Sequence, residues 1–268
     1  SFQKIKFINL GPAETNGYVA ALGTFPIDTT VIESNITSGV YELGSLVNVS
    51  AIGFSALEHV LFGDNAHTAI ESSANRAKYV SDLLSKVKSE TDYVASNWAG
   101  YRATFIDGAG TSSTSPFPVL VNNYILDFEL AKNTKIGIPI GKQSLGIQRP
   151  EYFEARNAEI GRELLIENLK ALRAVFRGND ASGTTGQGFD DYLIALDKNA
   201  LADQINTRFD YLIEQAESWN GTLEAELEQN PTVMDDYYVY MQGMVVALKA
   251  DMASAFGILI TYQDNDGD

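Results

Sequence analysis

The chain has no cysteine, which excludes disulfides, thiolate metal sites and a cysteine nucleophile while leaving the redox compartment open. Positive charge is scarce: 19 Lys and Arg stand against 35 Asp and Glu over 268 residues, a net charge of −16. Such a surface has nothing to neutralise a run of phosphates, so nucleic acid is excluded as a partner, and anionic membrane surfaces are disfavoured. A cation or a cationic ligand suits this field better. Histidine occurs only twice, at His59 and His67, too few for a usual zinc ligand set in a chain without cysteine. Long apolar runs are also missing. The densest, "GMVVALKADMASAFGILI", is interrupted by Lys249 and Asp251 and reads as a buried helix, not a transmembrane segment.

What remains is helical periodicity. From Ala66 to Phe105, Ile70, Ala74, Ala77, Val80, Leu84, Val87, Val94 and Trp98 recur at steps of three, four or seven. "SPFPVLVNNYILDFELAK" reads as a helix with Ser115 as N-cap and Pro116 in its first turn. "RPEYFEARNAEIGRELLIENLKALRAVFRG" reads as a third helix that closes at Gly178; a fourth is capped by Asn199. The last starts at "NPTV" and shows a stripe of Val233, Tyr237, Tyr240, Met244, Leu248 and Met252. "KIGIPIGK" alternates, but Pro139 and its glycines mark it as extended loop. The fold class is therefore all-α. "GFSALEHVL" (Gly53–Leu61) can be laid over "GFDDYLIAL" (Gly188–Leu196), which suggests an internal duplication: an N-terminal helical bundle over 1–140 and a C-terminal one over 141–268.

Polar chemistry concentrates in "AIGFSALEHVLFG". At helix spacing Ser55 and Glu58 share a face, as do Ser55 and His59, whereas Glu58 and His59 diverge by about 100°. A Ser55–His59 nucleophile pair lacks a positioned acid and an oxyanion hole. A metal site built on Glu58 lacks ligands. The residues alone favour a helix start with polar side chains. Arg102 lies among aromatics on a face that reads as buried, which calls for an acidic partner, Asp28 or Glu58, or for an anionic ligand. Asp190 joins a pocket with Ser55 and Glu58 only if the duplication brings the two segments face to face. Asp264, Asp266 and Asp268 imitate the start of a calcium loop without its bidentate glutamate, and read as a solvated tail.

"GFSALEHVLFG" resembles the Gly-x-His-x-x-Glu motif of the imelysin-like family, with Gly53 and Glu58 in place and Ser55 where the histidine belongs. "LGTFPIDTTVIESNI", "NWAGYRATFI", "KIGIPIGK", "GQGFDDYLIAL" and "LKADMASAFGILITY" resemble further segments of that family in the same order. The resemblance implies two four-helix-bundle domains. It also implies a bacterial envelope protein, periplasmic or lipid-anchored at the outer membrane, that serves iron uptake beside other envelope proteins. Its site gathers around the motif near the domain interface, and some members carry a metallopeptidase assignment. The expected ligand pocket comprises Gly53, Ser55, Glu58, Asp28, Arg102 and Asp190. No catalytic residue is expected, and Glu58 is the only motif candidate for a divalent cation or iron, because a serine hydroxyl is a weak, neutral ligand for a first-row metal. The short, weakly periodic stretch before the motif suggests an incomplete N-terminal bundle, with sequence and a lipid anchor preceding Ser1.

Overall fold

Apolar periodicity becomes thirteen α-helices among the described residues of a computed structural model, which are 9–108, 110, 112–180 and 182–262. They are α1 (Pro12–Thr15), α2 (Tyr18–Leu22), α3 (Thr29–Ser38), α4 (Gly53–Phe62), α5 (Ala66–Ser72), α6 (Ala74–Asp107), α7 (Pro116–Leu130), α8 (Gly161–Phe176), α9 (Phe189–Ala195), α10 (Asn199–Ser218), α11 (Leu223–Gln229), α12 (Pro231–Val246) and α13 (Ala253–Ala255). No strand occurs among the described residues, only an isolated bridge between Asn179 and Thr185. No described helix is long and apolar enough to cross a membrane.

The chain forms two compact units. The N-terminal unit holds Asn9–Asp107 together with a short later segment, Asn157–Glu159; the C-terminal unit holds Gly108–Arg156 and the chain from Ile160 onward. Residues 108–140 were assigned above to an N-terminal bundle, but α7 packs with the later helices: Val121, Tyr124, Ile125 and Phe128 are buried beside Leu169, Leu172 and Phe209.

In the N-terminal unit α6 is the spine. Tyr79 and Leu83, both fully buried, meet Ile32 and Ile36 of α3 and Ala56, Leu57 and Val60 of α4. The Tyr79 hydroxyl donates to the Ala51 carbonyl at 2.6 Å, so burying this ring leaves no orphaned phenol. The buried stripe of α6 is Tyr79, Leu83 and Val87, displaced from the expected one; Leu84 is exposed, because the tyrosine ring outweighs the leucine in setting the inward face. Asp28 caps α3 by accepting from the Thr30 and Val31 amides at 2.9 and 3.1 Å.

In the C-terminal unit α7 and α12 each run on into a wider π-helical turn, Ala131–Gly137 and Ala247–Met252. The first covers the start of "KIGIPIGK", which is therefore helical up to Gly137 and not an extended loop, with Ile136 and Ile140 buried. The physical reason is that Lys132 and Lys135 are almost fully buried and find partners inside: Gln242 and Glu154 respectively. Lys249, from the second π turn, reaches buried Glu129 of α7 at 2.8 Å. Gly178 follows α8 at φ +65°, as expected, but α8 starts only at Gly161, because the "RPEYFEARNAE" stretch forms a 3-10 turn and then turns through left-handed Ala155 and Glu159. Lys198, not Asn199, takes the N-cap position of α10.

Candidate functional site

The motif helix begins where two backbones nearly touch. Gly53 has φ +76°, and a Cβ there would lie 2.2 Å from the Leu22 carbonyl oxygen, so only glycine permits α4 to start against the end of α2. Ser55 follows on the first turn of α4, next to Gly23, and is partly exposed. One turn later Glu58 projects to the Asn157–Glu159 segment. Its Oε1 accepts from the Asn157 amide at 2.6 Å and the Ala158 amide at 3.1 Å, and its Oε2 accepts from the Asn157 side-chain amide at 3.3 Å. This segment is flanked by left-handed Ala155 (φ +50°) and ends on left-handed Glu159 (φ +58°), a tight turn whose amides converge on one carboxylate.

His59 points elsewhere. Its Nε2 lies 3.4 Å from Glu33, and Glu33 in turn accepts from Arg76, so the histidine belongs to a polar chain of His59, Glu33 and Arg76 linking α4, α3 and α6. His67 sits exposed beside Glu71. Sequence reasoning missed Glu33, Arg76 and the Asn157–Ala158 amides. Backbone donors leave no mark in a residue string, and the distance of about a hundred residues between Glu58 and its partners has no periodic signature.

The other expected site residues separate. Asp28 spends its carboxylate on the α3 cap. Arg102 is exposed on α6 and forms no ion pair among the described residues, which corrects the expectation of a buried arginine paired with Asp28 or Glu58. The cause is the covering of α6: from Thr91 to Asp107 none of its residues is buried, so the aromatic row Trp98, Tyr101 and Phe105 is only partly covered and Arg102 faces water. Asp190 belongs to the C-terminal unit, accepting from Asn206 at 3.4 Å and from the Asp191 amide at 2.9 Å. Asp264, Asp266 and Asp268 lie outside the described residues.

One open cleft in the N-terminal unit, about 510 Å³, lies between the Gly39–Gly44 loop and α6. Tyr41 donates to Asp82 at 2.7 Å and Lys78 pairs with the same carboxylate, so the polar groups of its floor satisfy one another. The Lys78 and Tyr41 hydrogen bonds hold the Asp82 carboxyl below the usual aspartate range. Burial and the Asp82 bond push the Tyr41 phenol up.

Does the motif fit a metal ion? Three of the directions in which Glu58 accepts are taken by N–H donors, serine stands where an imidazole would be, and the adjacent histidine turns to Glu33. Among the described residues no cluster of three His, Asp or Glu side chains has the arrangement of a metal site. The donor set does not fit a transition ion.

The fold and this site define an all-α protein of two helical units whose motif carboxylate is engaged by backbone amides. The family model described as Imelysin, Peptidase M75, matches residues 1–235, and the chain belongs to the imelysin family. No curated protein matches. Among solved structures, an imelysin-like protein from Psychrobacter arcticum 273-4 has 16% identity and a TM-score of 0.74, over 97% of this chain and 79% of that one. A candidate iron-regulated protein A precursor from Parabacteroides distasonis ATCC 8503 has 14% identity and a TM-score of 0.72, over 95% and 79%. At these identities the structural likeness speaks for the fold.

Proposed function

We propose that this chain is a non-catalytic imelysin-family component of bacterial iron uptake, placed in the periplasm or anchored at the outer membrane, that holds a small ligand around the first turns of α4. The observation carrying the non-catalytic part is the commitment of Glu58: a carboxylate accepting from two backbone amides and one side-chain amide is poorly placed to serve as general base or metal ligand. Family membership and a structural relative described by iron regulation support the link to iron. Net charge favours a neutral or cationic ligand over an anionic one, and other iron-uptake envelope proteins are its natural partners.

The duplication read from the Gly-Phe segments belongs to the same proposal. It is supported by a shared backbone device: Gly188, just before α9, would bring a Cβ within 2.2 Å of the Phe176 carbonyl oxygen at the end of α8, as Gly53 would with Leu22 at the end of α2.

The family description as a peptidase favours an imelysin-type metallopeptidase as the second reading. Metal analysis of protein purified without chelator separates the two. Wild type is expected to hold far less than one zinc or iron per chain, unchanged in Glu58→Ala. One zinc per chain that is lost in Glu58→Ala, with cleavage of a peptide substrate, would overturn the proposal. Ser55→His is expected to raise zinc affinity by less than about tenfold, because its helical neighbour stays bound to the Asn157–Ala158 turn.

A further inference from the structure

Within the C-terminal unit, arginines are allotted unevenly. On α10, Asp210 receives both Arg173 of α8 and Arg177 just after it, at 2.5 and 2.9 Å, while Arg208, two residues earlier on the same helix, has no acidic partner among the described residues. Its guanidinium instead lies against α12. The Cζ atom stands 5.0 Å from the ring centroid of Tyr240, and the Tyr240 and Tyr211 rings are 4.1 Å apart. The Nε atom of Arg208 is buried and meets no acceptor. Neither phenol oxygen of this pair has a hydrogen-bond partner among the described residues, and Tyr211 is 39% exposed.

A glycine makes this arrangement possible. Gly243 sits in the last turn of α12, where the helix runs on into its π-helical turn, and glycine inside a helix weakens it by about 1 kcal/mol relative to alanine. A Cβ at that position would come within 2.8 Å of Arg208 Nη1. The helix thus accepts a poor helix former at the point where the guanidinium needs room.

We infer that Arg208, Tyr211, Tyr240 and Gly243 form a binding platform for a small monocarboxylate, separate from the α4 motif and independent of the function proposed above. The outward edge of the guanidinium supplies a planar pair of N–H donors matched to two carboxylate oxygens, the phenols supply O–H donors beside it, and the Tyr211 ring offers an apolar surface for the ligand body. A single negative charge suits the site: one cation answers it, whereas the net charge of −16 opposes a dianion such as phosphate.

The test is titration of the full chain with sodium benzoate and, in parallel, inorganic phosphate, following the Arg208 Nε–H and Gly243 amide signals by NMR. Saturable shifts with benzoate and none with phosphate are expected. Arg208→Lys keeps the charge but loses the fork, and is expected to weaken benzoate binding by at least about tenfold. Tyr211→Phe, which keeps the ring packing, serves as a second variant and is expected to weaken binding by about threefold. Shifts that grow linearly without saturating, equal responses to phosphate, or unchanged affinity in either variant would overturn the inference.

Discussion

The two units bury their side chains in different ways. The C-terminal unit encloses a continuous core from Val121 to Ile258 that also takes in charge: Lys132, Lys135 and Glu129 are each at most 5% exposed and hold partners inside. The N-terminal unit has a smaller core around Tyr79 that holds no buried lysine among the described residues, and both units leave some apolar side chains in water, Leu46 at 91% in this one and Leu145 at 101% in the other. Helical periodicity is present in both, so periodicity alone does not decide burial. What differs is the number of faces available to meet each stripe: α7 and α12 are covered on several sides, α6 beyond Glu90 on few. The motif helix lies in the unit with the smaller core, where its carboxylate gains order from amides of a distant turn.

This contrast breaks most readily in the C-terminal unit. Lys249→Met leaves Glu129 charged and buried without its ion-pair partner, and is expected to cost about 3–5 kcal/mol in urea unfolding, whereas pairing it with Glu129→Leu should recover most of that loss. A comparable effect is expected on deleting core volume in the C-terminal unit, and a smaller one in the N-terminal unit. Leu172→Ala in the C-terminal unit should cost about 3–5 kcal/mol, and Leu83→Ala in the N-terminal unit nearer 2–3, since a small core with open edges collapses more easily around a cavity. Equal losses would show that the two cores are packed alike. Within the N-terminal unit, Asp28→Ala removes the α3 cap and should lower stability by about 1 kcal/mol, read as faster hydrogen exchange at the Thr30 and Val31 amides. Glu58→Ala should speed exchange at Asn157 and Ala158 in the same way, without spreading into the α7–α12 core.

The smallest effect concerns pH. The folded-state carboxyl of Asp82 is held below its ordinary value by Lys78 and Tyr41, so its contribution is present above the usual aspartate range and is lost as pH falls through the lowered value. Because the pair is at the surface, the loss should be slight and should weaken with added salt. In Asp82→Asn the acid limb of the stability profile should flatten; an unchanged limb would mean that this trio contributes nothing measurable.

Much of the architecture was legible because its causes are local. Spacing of apolar residues located the helices, Pro116 and Gly178 marked helix ends, and the Gly53–Glu58 motif placed the chain in its family. The buried lysines were not legible, since Lys135 in "KIGIPIGK" looks like any solvated cation until Glu154 lies beside it. The assignment of α7 to an N-terminal bundle failed for the same reason: its apolar face fits many partners, and only the folded chain selects α8, α10 and α12.

The sequence by itself determined the helical class, the acidic surface and the substitution of a hydroxyl for an imidazole at position 55, because these are properties of composition and short-range order. Only the tertiary structure decided that Glu58 is tied to Asn157 and Ala158, that His59 answers to Glu33, and that Arg102 and Arg208 go without carboxylates among the described residues. Charges find partners through space, and which partners come within reach is settled by helix packing across many residues of intervening chain.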